Sequence, residues 1–436
     1  MENSQHKIAV LGLWHLGEIC SAGLAHLGHN VVGISNDKTV VENFLNGKPP
    51  LAEPRLEELI KNGLEAGLLT YSRDVTKVNN CDVVWLTFDT PVNDRDESNV
   101  KPILSCIREI TPHLQDDCLV AVSSQIPAGT SATIVKLIRQ LRPNLEFHYV
   151  YSPENLRLGE AVECFLNPGR IVVGANGDEG FERIKSIFGG IQADLVRMSP
   201  ASAEMAKHAL NSFLATSISF INDIADTCEK VGADISDVTK ALRSDKRIGQ
   251  HAFLNPGFGF SGGTLGRDLV ALKAIARTHR ADMPVIESVL KKNQQRPQSL
   301  VRRLHSLLGG LAKKHITIFG LTYKAGTSTL RRSRSLEIAS LLGRKGALLS
   351  LCDPHIIPEE LPRLRNAKFI ADPYASVKQA DALLFLTPWK DFKDFNFARF
   401  AQNARPHAVV FDASNCLSEK ESNITEQGLR YFRVGR

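Results

Sequence analysis

IAVLGLWHLGEICSAGLAHLGHNVVGIS, residues 8–35, is the stretch that decides the fold. Ile8–Leu13 is a continuous apolar run, as expected of a strand buried on both faces of a parallel sheet. GLWHLG (12–17) then turns into a helix that runs to about Leu27 and is closed by Gly28, and NVVGIS (30–35) is a second buried strand. Strand, glycine turn, helix and strand in that order form a βαβ unit, the setting a dinucleotide-binding fingerprint requires. The helix N-terminus, at about Leu16, offers N–H groups and a positive dipole end to a pyrophosphate. Gly12, Leu13, Trp14, His15, Leu16 and Gly17 are therefore the candidate pyrophosphate turn. One residue departs from the fingerprint: Trp14 stands where its middle glycine lets the backbone approach the ligand. Either the dinucleotide sits further out, or Trp14 turns away and covers it.

At the end of the second strand an NAD enzyme carries an acidic residue that bonds the ribose hydroxyls. Here that position is Ser35, followed by Asn36, Asp37 and Lys38. Ser35 with Lys38 suits a 2′-phosphate and Asp37 argues against one. The reading favours NAD and keeps NADP as the alternative.

Outward from this unit, apolar strands are expected at 81–87, 118–123, 147–151 and 171–174, with helices at 38–46, 54–66, 99–113 and 130–141. The alternation predicts a doubly wound α/β domain ending near Ser199. From Ala201 to Val231 apolar residues recur at near-helical spacing (Met205, Leu210, Phe213, Leu214, Ile218, Ile221, Ile224), which predicts one long helix with a broad apolar face. More helices are expected at 234–243, 266–280 and 283–308. A second α/β pattern then begins near His315, with ITIFGL, a helix over Ser335–Lys345, ALLSLCD, and strands at 381–387 and 408–414. The predicted class is α/β: an N-terminal Rossmann-like doubly wound domain (1–199), a central helical domain with the long helix (200–312) and a smaller C-terminal Rossmann-like domain (313–436).

The 436-residue length is consistent with two to three domains at roughly 100–200 residues each. A composition of 43% hydrophobic and 23% charged residues is that of an ordinary globular protein, and the net charge of +6 suits an anionic small molecule or simply solubility. No basic tract points to nucleic acid, and no apolar run approaches the ~20 residues of a membrane helix. The polar start MENSQHK predicts no signal peptide, so the expected location is cytoplasmic. Eight scattered cysteines include no CxxC pair, so no metal site or disulfide framework is expected.

The second informative stretch is NPGFGFSGGTLGRDLVAL (255–272), a glycine-rich loop entering a helix near Gly266. Glycines there allow close backbone approach to a ligand. The loop resembles the active-site loop GFGGSCFPKD of the UDP-glucose/GDP-mannose dehydrogenase family. The resemblance runs through the chain: Thr90-Pro91 matches a TP turn, SQIPAGT (124–130) matches STVPPGT, and SPENLRLGEAVECFLNPGRIVVG (152–174) matches the glutamate-bearing segment. EMAKHALNSFLATSISFIND (204–223) matches the central helix and YKAGTSTLRRS (323–333) matches FKPGTDDLRES.

The resemblance implies an NAD(P)-dependent nucleotide-sugar 6-dehydrogenase, an oxidoreductase of polysaccharide biosynthesis working as a homodimer. Such enzymes oxidise the sugar C6 alcohol to a carboxylate with two NAD molecules, through a cysteine thiohemiacetal. It implies Glu154 as general base, Lys207 and Asn211 as stabilisers of an alkoxide or oxyanion, and Asp268 as a positioner of water or a proton. Thr90 and Gln125 fall beside the cofactor. Leu156, Arg157, Arg247, Asn255, Phe258, Gly259, Phe260, Lys324 and Arg331 fall to the nucleotide sugar. Lys207 and Asn211 are i and i+4, so they share a helix face in an otherwise apolar, alanine-rich helix.

Thr264 stands where the family has its nucleophilic cysteine, Gln125 where it has a threonine, and Ser414 where it has a C-terminal arginine. A threonine hydroxyl is a much weaker nucleophile than a thiolate near neutral pH. Two readings follow. The chain oxidises a UDP- or GDP-sugar, either stopping after the two-electron step or completing the acid through a non-covalent aldehyde hydrate, or it is a catalytically inactive nucleotide-sugar-binding or regulatory homologue.

Overall fold

The computed structural model describes residues 5–90, 99–154, 156–260 and 263–436. Pro91 of the TP turn, Asn155 of the glutamate segment, and Ser261 and Gly262 of the glycine loop lie outside the described residues. The chain divides into two compact units, Met1–Ala209 and Leu210–Arg436.

The first unit is an eight-stranded sheet flanked by helices. Its elements are β1 (Lys7–Leu11), α1 (His15–His26), β2 (Asn30–Ile34), α2 (Lys38–Leu45), α3 (Leu56–Glu65), β3 (Leu69–Ser72), β4 (Val83–Leu86), α4 (Lys101–Ile110), β5 (Cys118–Val122), α5 (Thr130–Leu141), β6 (Phe147–Tyr151), α6 (Ala161–Leu166), β7 (Arg170–Ala175), α7 (Asp178–Ile187) and β8 (Asp194–Met198). The strand order is β3-β2-β1-β4-β5-β6-β7-β8. The first six strands have the doubly wound order, with the chain reversing between β1 and β4, where open α/β sheets bind ligands at their carboxyl ends. The predicted strands are present, and β7 runs antiparallel to β6 while β8 pairs in parallel with β7. β1, β4 and β5 are buried on both faces, as their unbroken apolar runs require.

The long helix α8 spans Pro200–Val231 and runs through the division between the units. The second unit continues with α9 (Ile235–Ser244), α10 (Thr264–Thr278), α11 (Pro284–Leu308), β9 (His315–Phe319), α12 (Arg334–Arg344), β10 (Leu348–Cys352), β11 (Ala367–Phe369), β12 (Ala382–Phe385), β13 (Val409–Asp412) and β14 (Arg430–Arg433). Its six-stranded sheet is ordered β11-β10-β9-β12-β13-β14, all parallel, repeating the strand order of the first sheet. Ile221, Ala225 and Cys228 of α8 and Leu300, Val301 and Leu304 of α11 pack in one apolar core with Ile316, Ile318, Leu384 and Phe411 of this sheet. Helical and sheet parts of the second unit thus share a core. Among the described residues no helix is long and apolar enough to cross a membrane.

Candidate functional site

The glycine turn has the shape that a bound pyrophosphate needs. Gly12 has φ +97°, and a Cβ there would lie 2.7 Å from the Phe88 amide nitrogen. Only glycine fits this conformation and this approach. A Cβ on Gly17 would collide with the Gly12 carbonyl, so the second glycine lets α1 start tight against the β1 turn. Trp14 is the N-cap of α1, its N–H bonds the Gly12 carbonyl at 2.9 Å, and no side chain caps the helix. The first-turn N–H groups therefore lack the side-chain acceptor that usually serves them. The Trp14 indole is 48% exposed, so it turns outward while the backbone keeps the fingerprint's path.

The other cofactor candidates lie at the carboxyl edge of the same sheet. Ser35 Oγ accepts the Asp37 N–H at 3.2 Å, and Asp37 caps α2 by accepting the N–H groups of Thr39 and Val40. Lys38 pairs with exposed Glu42 at 3.5 Å. The Thr90 hydroxyl donates to the Gln125 carbonyl at 2.7 Å, tying the ends of β4 and β5 together. His15 is engaged with the protein: its Nε2 lies 2.8 Å from Glu53 Oε1.

Of the catalytic candidates, the structure joins two pairs. In the first unit the Lys207 ammonium donates to the carbonyl of Glu154, whose carboxylate accepts the Leu156 N–H. In the second unit the Asn211 side-chain amide donates to the Asp268 carboxylate, and both side chains are buried. Lys207 and Asn211 are one turn apart on α8. Thr264 is the first residue of α10, two residues earlier than expected, and is exposed; Asp268 follows one turn later on the same helix.

The proposed substrate residues scatter more widely. Arg157 pairs with Glu160 at 3.2 Å in the segment after Glu154, both exposed. Arg247 is exposed and forked onto Asp245, whose carboxyl it holds below the usual range. Asn255 Oδ1 accepts from Arg243 at 2.7 Å. Phe258 packs at the edge of the second unit's main core, and Phe260 is buried with Ala215, Leu269, Ile286 and Val289. The Lys324 ammonium lies 5.9 Å from the Tyr323 ring centroid, and Arg331 is exposed.

The sequence reading missed the groups that hold these loops. Glu204, fully buried on α8, accepts the N–H groups of Gly129 at 2.6 Å and Ser131 at 2.7 Å and so supplies the acidic cap of α5. His208 Nε2 lies 3.1 Å from the Ile126 carbonyl. Around the glycine loop, Asn222 Oδ1 accepts the Gly257 N–H at 2.8 Å and Arg296 Nε donates to the Gly257 carbonyl at 2.7 Å. Asn293 accepts the Phe260 N–H at 2.9 Å, and Arg334 donates to the Phe260 carbonyl at 3.3 Å. The Arg332 guanidinium stands 3.4 Å from where a Gly263 Cβ would be. The available signal was polar residues recurring inside helices that otherwise pack apolar faces.

All eight cysteines are free, and six are buried. Burial pushes the thiols of Cys106, Cys118, Cys352 and Cys416 up to about 12, so these are poor nucleophiles. Cys164 is half-buried on α6.

The glycine turn at the switch point of the first sheet, with a second sheet of the same strand order, defines a dinucleotide-binding α/β protein with two Rossmann-like parts. The chain belongs to the UDP-glucose/GDP-mannose dehydrogenase family: the models of its NAD binding, central and UDP binding domains match residues 6–192, 201–295 and 317–419. It is 32% identical to a UDP-glucose 6-dehydrogenase of Rickettsia felis over 98% of this chain and 96% of the relative. It is likewise 32% identical to a Bacillus subtilis UDP-glucose 6-dehydrogenase (YwqF) over 99% and 98%. Among solved structures, a UDP-glucose dehydrogenase from Pyrobaculum islandicum superposes with a TM-score of 0.88 at 28% identity, covering 100% of this chain and 98% of that one.

Proposed function

We propose that this protein is an NAD-dependent dehydrogenase that oxidises the C6 alcohol of a UDP-sugar and releases the product of a single two-electron step. The domains act as 1–199 for NAD, 200–312 for the helical part and 313–436 for the UDP moiety. When bound, NAD accepts the hydride from C6. Gly12, Gly17 and the uncapped start of α1 would hold its pyrophosphate. What carries the reading is the pairing of Lys207 with Glu154 and of Asn211 with Asp268 in a chain whose nucleophile position holds Thr264.

The Lys207 ammonium and the Asn211 amide stabilise negative charge on the C6 oxygen as its proton leaves. Asp268, already an acceptor for Asn211, keeps that amide oriented and takes part in moving the proton. The second oxidation needs an sp³ adduct of the aldehyde. Thr264 could supply it only as a hemiacetal that leaves an ester after oxidation, a step that an unactivated hydroxyl performs poorly, and water could supply it as the aldehyde hydrate, whose oxidation gives the acid directly. With no thiol at the start of α10 to hold the aldehyde, the reading places the end of the reaction at the aldehyde oxidation level; oxidation of the hydrate to the acid is the alternative that product mass distinguishes. Leu156, Arg157, Arg247, Asn255, Phe258, Gly259, Phe260, Lys324 and Arg331 are the proposed sugar and nucleotide contacts. The exposed Phe213, Phe220 and Val231 of α8 support a homodimer. The proposed location is the cytoplasm, where nicotinamide cofactors and activated sugars are made.

The test is a panel of UDP-glucose, UDP-N-acetyl sugars and GDP-mannose with NAD and NADP, scored by reduced cofactor and product mass. Reduction with a UDP-sugar supports the reading. Binding without reduction, under either cofactor, would make the protein a nucleotide-sugar-binding homologue, the reading that Thr264 favours if turnover is absent.

A further inference from the structure

Glu53 lies outside every motif discussed above, in the segment before α3, yet its side chain is fully buried within the first unit. A buried carboxylate must be matched by donors. Its partners come from two separate places. Oε1 lies 2.8 Å from His15 Nε2, on the first residue of α1 and inside the pyrophosphate turn. Both oxygens accept the Gly159 N–H at 2.9 Å, and Oε2 accepts the Ala161 N–H at 3.3 Å. Gly159 and Ala161 follow Glu154, Leu156 and Arg157 in the chain, and Ala161 is the first residue of α6.

A second contact joins the same two segments. Phe165 of α6 lies so close over Gly23 of α1 that any Cβ at Gly23 would collide with its ring. The base-bearing segment is thus pinned to the pyrophosphate helix at its start by Glu53 and one turn later by Phe165. A carboxylate bonded to backbone N–H groups and an imidazole N–H forms charge-assisted bonds, which are strong and directional.

We propose that Glu53 is a positioning residue that makes the dinucleotide turn and the Glu154–Ala161 segment respond as one body. Filling the turn with the cofactor then orders the segment that carries the base and Arg157. The inference rests on the proposed cofactor and substrate roles.

Amide hydrogen exchange by mass spectrometry on the full chain, with and without NAD, tests it. In the wild type, NAD slows exchange in peptides covering 12–17 and also slows 156–161, each by about threefold or more. In Glu53→Gln the slowing at 12–17 remains and that at 156–161 is lost. His15→Phe removes only the turn-side bond; at an NAD concentration that saturates this variant it too loses the slowing at 156–161, even if Glu53→Gln fails to fold. His15→Gln keeps a donor towards Glu53 and restores the slowing. Equal slowing of 156–161 in wild type, Glu53→Gln and His15→Phe would overturn the proposal. Absence of any slowing at 12–17 in the wild type would instead overturn the cofactor reading on which it rests.

Discussion

The side-chain amide of Asn211 donates to the carboxylate of Asp268, joining α8 to the first turn but one of α10 with both groups buried. A buried acceptor that loses a donor bears most of its desolvation cost. Asn211→Ala is therefore expected to destabilise the protein by about 1–3 kcal/mol in urea unfolding. It should also lower kcat for UDP-sugar oxidation more than it changes KM, because the amide acts on charge that develops in the transition state. Unchanged stability together with unchanged kcat would remove the pair from both roles.

Thr264→Cys restores a thiol at the start of α10, where the helix dipole favours its thiolate. If the rest of the site is intact, reduced cofactor per UDP-sugar rises from about one to about two and the product becomes a uronate. A variant that still yields one reduced cofactor and an aldehyde would show that more than the nucleophile has changed.

Gly259 has φ +100°, and a Cβ there would run into Asn293 Oδ1, the acceptor for the Phe260 N–H. Gly259→Ala should cost about 1–3 kcal/mol through backbone strain and displaced Asn293. Because the loop is the proposed sugar contact, KM for the UDP-sugar should rise as well. A denaturation midpoint and KM equal to the wild type would show that the loop relaxes without consequence.

Burial, aided by the nearby Glu53 charge, pushes the Glu18 carboxyl up to about 8, against one weak backbone donor at Leu51. The folded protein then keeps a proton that the unfolded chain releases near pH 4.5. Stability falls as pH rises between those two values, by about 1.4 kcal/mol per unit, and the loss is complete above the folded value. Glu18→Gln lacks this slope. Between pH 6 and pH 8 the variant should gain about 2 kcal/mol on the wild type in urea unfolding. A difference that stays constant with pH would mean that Glu18 is ionised in the fold.

The core strands were legible because β1, β4, β5, β9, β12 and β13 are mostly apolar and buried on both faces, with polar residues chiefly at their ends and at Thr317. The strands absent from the sequence reading lie at or near sheet edges. LTYS of β3, DLVRM of β8, AKF of β11 and RYFR of β14 are short and partly exposed, so their side chains show little pattern. β7 runs antiparallel to β6, a direction that its own apolar pattern does not encode. In the site, Lys207 and Asn211 could be paired by helical spacing alone. Asn222, Asn293 and Arg296 could not, because they meet the glycine loop across 33 to 39 residues of sequence. Glu53 was hidden for the same reason, lying 106 residues from Gly159.

The most direct test of the central claim is cofactor stoichiometry: moles of NADH formed per mole of UDP-sugar consumed at completion, with the product weighed by mass spectrometry. The account predicts about one NADH and an aldehyde-level product, since Thr264 cannot carry the second oxidation as a thiol would. About two NADH with a uronate from the wild-type chain would contradict it.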